Sequence, residues 1–399
     1  MGLISEQELE DIKARHSLAD VAGGYVKLRR AGARLVGPCP ICGGRASSQR
    51  FEILAGGDSW VCAVCREGGD VIYLVQKAED CDFRQAIERL GGRAVVDPAE
   101  TQKLFEAREA KRLAREKEAD RYREAERKRL YRQWTSAMPI AGTPAADYLV
   151  GRGLIVPEHC PGLRYLPSAI YWHGETIDSH GRSGPRAFHT GPAMPAAFIR
   201  ADGRFGGLHI TFLGAGAPPA KVELLDPETG EMLPAKKMRG SKTGAYIEVA
   251  RPAAGVEAIR RLVIGEGIET VLSLRTAFIL GDRDISDIGF WAAGDLGNMA
   301  GRASDTVVHP ELKTPSGRPQ HVPGPVPDPD DKGQTIPDMV NNLMLLGDGD
   351  SEPLLTQHAM MRAARRYSRP GRTIRIVFAP AGMDFNDLLQ SEEDEPADA

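Results

Sequence analysis

Apolar positions in the last third of the chain fall in two alternating rhythms. Continuous apolar runs at Leu262-Val263-Ile264, Phe290-Trp291-Ala292-Ala293 and Leu343 to Leu346 predict buried strands, and Ile374, Ile376 and Phe378 mark a fourth. Between them, Ile268, Val271, Leu272 and Phe278, and then Leu354 to Ala364, recur at helical spacing. Strand–helix alternation predicts a parallel sheet with helices on its faces. Residues 302–341 interrupt it with Pro, Gly and little periodicity, which predicts an inserted surface loop.

Residues 138–252 hold many Gly and Pro and short strand-like runs, among them Ala197 to Arg200 and Leu208 to Phe212. Asp202-Gly203 between those two is a hairpin signal, and the stretch reads as a mixed α+β unit. Residues 101–134 contain neither Gly nor Pro, and their apolar positions (Leu104, Leu113, Leu130, Trp134) are sparse. That pattern predicts a long helix, polar nearly all round, acting as a solvated connector. Near the N-terminus, Leu9, Ile12 and Leu18 predict a short helix. Val26/Leu28, Leu35-Val36, Val61 and Val64 read as strand pieces, and Asp70 to Gln76 and Phe83 to Leu90 as two more helices. The expected class is multidomain α/β. Its segments are 1–95, a charged helical linker 96–136, an α+β subdomain 137–256, an α/β domain 257–390, and an acidic, disordered tail 391–399.

Charge refines this. The formal net charge of −4 excludes a uniformly basic nucleic-acid coat, yet residues 101–134 alone carry 12 Lys/Arg against 7 Asp/Glu. Steering of a phosphate backbone comes from such patches, so a nucleic-acid role stays open. No signal-like start and no apolar run of membrane-spanning length occur, so the expectation is a cytoplasmic protein without membrane contact.

Four of the six cysteines form Cys39-x2-Cys42 and Cys62-x2-Cys65. Two tight turns that each aim a pair of sulfurs at one centre suit tetrahedral zinc, and four thiolates leave no open position, so the site reads as structural. Cys81 and Cys160 read as ordinary small residues. The motifs around this site are Gly37-Pro38-Cys39-Pro40, Phe51-Glu52-Ile53, Trp60-Val61-Cys62, Gly68-Gly69-Asp70-Val71-Ile72 and Phe83-Arg84-Gln85-Ala86. With them, residues 4–92 resemble the N-terminal zinc-binding domain of bacterial-type DNA primases. The cellular family usually has His where Cys42 stands; the four-Cys form resembles some phage-type members. The resemblance implies contact with single-stranded DNA, for which Lys27, Arg29, Arg30, Arg34 and Arg50 are candidates. Trp60 is either a stacking face or a cover on the metal site.

Carboxylates that hold Mg2+ in a parallel sheet belong at the C-terminal strand ends. Glu266 follows the first strand, with Glu269 one turn later. Asp348-Gly349-Asp350 follows the third, and Asp384-Phe385-Asn386-Asp387 the fourth. This arrangement resembles the toprim domain of primases, topoisomerases and related nucleases. The resemblance implies that Glu266, Asp348 and Asp350 are catalytic metal-binding carboxylates. It implies that Asp384 or Asp387 is an accessory magnesium ligand or a structural cap. Asp328-x-Asp330-x-x-Gly333 fits the family spacing literally, but a Pro-rich run precedes it, and such a run cannot be a central strand. Gly240-Ser241-Lys242-Thr243 lacks the second Gly of a phosphate loop, so no helicase motor is expected. His209 reads as a core histidine.

Residues 138–255 resemble more weakly the subdomain that precedes toprim in primases. Arg204, Lys236, Lys237, Arg239 and Lys242 are its candidate clamp for template or NTP phosphates. The resemblances together imply a primase, of a phage, plasmid or mobile-element type. It would use structural Zn2+ and catalytic Mg2+ (with Mn2+ as a substitute), NTPs, single-stranded DNA and a separate replicative helicase. A toprim nuclease and a catalytically silent DNA-binding adaptor are the alternatives. A topoisomerase is not expected at this length, which leaves no room for a strand-passage domain and its tyrosine.

Overall fold

The computed structural model describes residues 6–31, 34–46, 48–54, 56–91, 98–158, 160–177, 181, 183–313, 319–331 and 333–393. The acidic tail beyond Glu393 lies outside them. The chain divides into two units, residues 1–125 with 309–320, and residues 126–308 with 321–399.

In the first unit, five short strands from Arg29–Ala31 to Gly68–Gly69 form an antiparallel sheet in chain order. Helices Glu6–Arg15, Leu18–Tyr25, Val71–Ala78 and Phe83–Arg89 accompany it. Asp70 and Asp82 cap the last two by accepting from Tyr73 N and Gln85 N, which satisfies helix-end donors. Trp60 is fully buried and stacks between Phe51 and Tyr73, with ring centroids at 5.2 and 6.3 Å. Its indole Nε1 donates to the Asp70 carbonyl. Trp60 is therefore a core residue and no stacking platform for bases.

The second unit is built on one ten-stranded sheet, which runs through both residues 137–256 and residues 257–390. Its main strands are β1 (Arg164–Ile177), β2 (Ser183–Ile199), β3 (Phe205–Phe212), β4 (Lys236–Gly240), β5 (Tyr246–Ala250), β6 (Arg261–Gly265), β7 (Ile288–Ala292), β8 (Asn342–Gly347) and β9 (Thr373–Phe378). The order is β4-β3-β2-β5-β7-β6-β8-β9, with β1 on the first half of β2. Strands β7, β6, β8 and β9 are parallel, and antiparallel pairing of β5 with both β2 and β7 joins the halves.

Six helices complete the account: α1 (Pro98–Ser136), α2 (Pro144–Val150), α3 (Ile268–Leu280), α4 (Leu296–Ala300), α5 (Pro353–Tyr367) and α6 (Phe385–Glu393). Helix α1 is not solvated throughout. Leu130 and Trp134 near its end are buried with Leu208, Ile210 and Phe212 of β3. Two apolar residues one turn apart suffice to dock a helix whose average is polar. Residues 302–341 also contribute to the core through Val322, Ile336 and Val340. The same stretch includes a two-stranded ribbon of Thr306–Lys313 and Pro319–Pro323.

Side chains alternate across a strand, so β3 assigns the faces of the antiparallel half. Leu208, Ile210 and Phe212 lie on the back with α1, and His209 and Thr211 on the front. Strand β4 pairs Lys236 with Thr211, Lys237 with Ile210, Met238 with His209 and Arg239 with Leu208. Residues directly opposite share a face. Lys236 and Met238 therefore face front, and Lys237 and Arg239 face back.

Candidate metal centres and phosphate site

The four cysteine sulfurs lie within 4.8 Å of one another. Cys39 Sγ is 3.9 Å from Cys65 Sγ, and Cys42 Sγ is 3.7 Å from Cys62 Sγ. A tetrahedron with zinc–sulfur bonds of about 2.3 Å has sulfur–sulfur edges of about 3.8 Å. Burial pushes the Cys39 thiol up to about 11, so a thiolate there calls for a cation. These four residues fit zinc. Around them, the basic residues singled out for DNA contact are partly engaged. Arg30 pairs with Glu118, Arg34 with Glu52, and Arg50 donates to Ser48 Oγ and approaches Cys42 Sγ at 4.0 Å. Lys27 is exposed.

In the second unit, the adjacent parallel strands β7, β6, β8 and β9 are followed by Asp295, Glu266, Asp348 and Asp384 respectively. Strand order thus gathers carboxylates scattered over 119 residues of chain. Burial, together with Asp348 and Asp350, raises the Glu266 carboxyl above its usual range, against the opposing pull of Lys236 and Lys242. Burial also pushes Asp348 up to about 6; a hydrogen bond from Thr270 opposes this, and the charges of Asp384 and Asp350 add to it. Thr270 Oγ1 donates to Asp348 Oδ2 at 3.1 Å, whereas Asp348 Oδ1 is buried with no hydrogen-bond partner. Two carboxyls raised by burial and by neighbouring carboxylates, one with an oxygen left unpaired, fit a hard divalent cation.

Gly349 shows why the two aspartates flank a glycine. A Cβ there would sit 2.1 Å from the Pro380 carbonyl oxygen and 2.6 Å from that of Ala379. The turn is pinned by Gly349 N donating to Met383 O and Gly382 N to Gly349 O. Asp350 is exposed. Asp384 and Asp387 form a reciprocal cap on α6. Asp384 Oδ1 accepts from the Asn386 and Asp387 amides, and Asp387 Oδ2 from the Asp384 amide. The sequence offers them as accessory magnesium ligands or a structural cap, and the structure engages both in a helix cap. Asp384 is near enough to act on Asp348.

The five candidate clamp residues separate. Lys236 Nζ donates to Glu269 Oε2 at 3.1 Å, and Lys242 is in direct contact with Asp295 Oδ2. Both act on Glu266. Lys237 and Arg239 lie on the back of the sheet. Lys237 sits 4.5 Å from the Tyr171 ring centroid, and Arg239 pairs with Glu126 of α1 at 2.7 Å. Arg204 is exposed at the β2–β3 turn. Period-2 alternation explains the split, and a linear basic segment does not reveal it.

Sequence reasoning left Glu269 without a role and missed Lys221 and Tyr148. Glu269 is 5% exposed. It accepts from Tyr148 Oη at 2.8 Å and pairs with Lys236 and with Lys221, the latter at 3.5 Å. Burial alone would raise this carboxyl; the two lysines and the tyrosine hold it well below the usual carboxylate range. Lys221 and Tyr148 are 48 and 121 residues away in sequence, with no local signal. His209 is buried on the same face, and burial beside Lys236 pushes it down to about 4. It is neutral, but its Nδ1 has no partner. The literal match at Asp328/Asp330 is a surface turn: Asp328 accepts from Asp330 N and pairs with Arg302.

Residues 4–105 match the family model described as the CHC2 zinc finger, the DnaG zinc ribbon. Residues 124–249 match one described as a domain of unknown function, DUF7146. The DNA primase of Mycobacterium tuberculosis (strain ATCC 25618 / H37Rv) is 39% identical over 93 residues, 23% of this chain and 14% of that one. The DNA primase of Streptomyces coelicolor is 28% identical over 173 residues, 42% of this chain and 25% of that one. The match thus spans about a seventh of the mycobacterial enzyme's length. Among solved structures, the Aquifex aeolicus primase (zinc-binding and RNA polymerase domains) aligns over 97% of this chain and 83% of that one. Its identity is 14% and its TM-score 0.33. A DnaG primase catalytic domain bound to single-stranded DNA aligns over 68% and 78%, at 18% identity and TM-score 0.36. The N-terminal domain of this chain is a zinc ribbon of the kind that bacterial-type DNA primases carry.

Proposed function

We propose that the chain is a DNA primase, which synthesises short RNA primers from NTPs on a single-stranded DNA template. One observation carries the reading. Glu266, Asp348 and Asp350 follow neighbouring strands, Asp348, Asp350, Lys236 and Lys242 all act on the Glu266 carboxyl, and the same chain carries a primase-type zinc ribbon. In this reading the second unit contains a toprim centre.

Glu266, Asp348 and Asp350 would hold Mg2+, which supplies charge neutralisation at the reacting phosphates. The chain's own groups have distinct tasks. Thr270 fixes the orientation of Asp348. Lys236 and Lys242 bring positive charge to the carboxylate site, where the triphosphate would lie. As a primer 3′-hydroxyl gives up its proton to water and its oxygen bonds to the α-phosphorus, the bond from the α-phosphorus to the bridging oxygen breaks and pyrophosphate leaves with the negative charge these lysines stabilise. Glu269 holds Lys236 in place through its buried carboxylate. A cavity of about 580 Å³ opens beside Lys242 and Asp295, lined also by Thr243, Asn298, Arg302 and Asp305. It has room for a nucleoside, and the 302–341 insertion would form part of its wall. A replicative helicase would be a separate protein.

The test incubates the full chain with single-stranded DNA, Mg2+ and labelled ribonucleotides. Short RNA products that disappear in Glu266→Gln are the expected result. A shortened template without new RNA would replace the primase by a nuclease. Strand binding with neither product would replace it by an adaptor.

A further inference from the structure

The back of the sheet holds a cavity that the carboxylate site does not use. It measures about 300 Å³ and lies where β1, β3 and β4 meet the end of α1. Its floor is apolar, with Leu130 and Phe212 buried there. Half-buried Trp172 forms part of its wall, and Lys237, Arg239 and Arg129 bring cationic groups to it. Glu126 pairs with both arginines, at 2.7 and 2.8 Å. Lys237, whose ammonium lies over the Tyr171 ring, faces the same cavity as the aromatic wall and the apolar floor. Burial and the neighbouring Arg239 lower the Lys237 ammonium from its usual range, so an anion arriving there meets a cation already partly stripped of water.

A flat aromatic side chain flanked by cations over an apolar base is the chemistry that holds an unpaired nucleotide, whose base stacks and whose phosphate pairs. We infer that this cavity is a second single-strand contact, which takes one unpaired nucleotide of single-stranded DNA with its base against Trp172 and its phosphate on Lys237 and the arginines. The inference goes beyond the proposed primase activity and rests only on its nucleic-acid part. Register separates the two sites: adjacent residues Lys236 and Lys237 serve opposite faces of one strand. A strand bound at the back would be held apart from the reacting end at the front. The stretch of chain described as a domain of unknown function would then supply both faces.

The experiment measures binding of a labelled oligothymidylate to the full chain by fluorescence anisotropy, without nucleotides or Mg2+. Stacking on an aromatic ring contributes about 1–3 kcal/mol per base, so Trp172→Ala is expected to weaken binding at least about fivefold. Trp172→Phe should keep most of the affinity. Lys237→Ala should lower the slope of log affinity against log salt by about 0.7, the loss of one phosphate contact. Contributions from the ribbon cancel, because every comparison is between full chains. If Trp172→Ala unfolds the second unit, judged by its melting curve, Lys237→Ala decides alone. Wild-type affinity and salt slope in the variants that fold would overturn the inference. Primer synthesis is not the readout, so a chain that makes no primer yet loses strand affinity in these variants keeps this site and loses the proposed activity.

Discussion

Replacing Asp348 by Asn should abolish activity and make the metal-free protein more stable. Burial and the charges of Asp384 and Asp350 push this carboxyl up to about 6 even though Thr270 donates to it. Against an ordinary value near 4, carrying the charge at neutral pH costs about 3 kcal/mol. Asp348 is only half-buried, so solvent screening brings this to roughly 1–2 kcal/mol. An amide of the same shape removes the charge, and its oxygen can still accept a hydrogen bond. The sign follows from linkage. A group whose folded value is raised binds its proton more tightly in the folded state, so its stability contribution is greatest below about pH 4 and declines as pH rises through 6. Thermal melting in EDTA should therefore show the variant a few degrees above wild type at pH 7.5, at about 2–4 °C per kcal/mol for a unit of this size. The gap should close towards pH 4. Added Mg2+ should raise the melting temperature of wild type and leave the variant unmoved, because a ligand stabilises only the state that binds it. A variant less stable than wild type in EDTA at pH 7.5, a gap that does not change with pH, or an equal Mg2+ response in both would refute the reasoning.

Three further perturbations separate the parts of the molecule. Cys62→Ser should remove the single equivalent of zinc found by elemental analysis and unfold the ribbon, since metal binding and folding of such a site are one process. Glu269→Gln should cost roughly 3 kcal/mol at pH 7, because two lysines lose a buried partner. Glu269 titrates well below the usual range, so its contribution is present above about pH 4.3 and is lost as the pH falls through its depressed value; acid melts should show the variant losing less than wild type between pH 5 and 2. Gly349→Ala would drive a Cβ into the Pro380 and Ala379 carbonyl oxygens. It should weaken Mg2+ binding, read by calorimetry, while zinc content stays at wild-type level.

The parallel half of the sheet was legible because strands buried on both faces become uninterrupted apolar runs, and Leu262 to Ile264 and Leu343 to Leu346 have no polar residue to confuse the period. The positions of Glu266 and Asp348 at strand ends were legible for the same reason, since each follows such a run. The continuity of the sheet was not. It depends on Tyr246–Ala250 lying antiparallel against both β2 and β7, a pairing that leaves no mark on any one segment. The docking of α1 was hidden because Leu130 and Trp134 make too small a stripe to stand out in a long polar helix. Trp60 was ambiguous because a tryptophan beside a metal ligand reads the same whether it faces core or solvent; only its two aromatic neighbours decide it.

The basic segment Lys236 to Lys242 is where sequence and structure part most usefully. A linear count sees four cations in seven residues and predicts one clamp. A strand has no single side, however, and each step along β4 reverses the direction of charge. Lys236 neutralises a buried glutamate beside the carboxylates, whereas Lys237 and Arg239 face α1 and an aromatic cavity. Lys242, beyond the strand, returns to the front and meets Asp295. Holding this pattern needs the β3 register, since a slip of one residue would send Lys236 to the back and leave Glu269 buried without it. The alignment seen here sets which lysines face the carboxylates and which face the cavity behind.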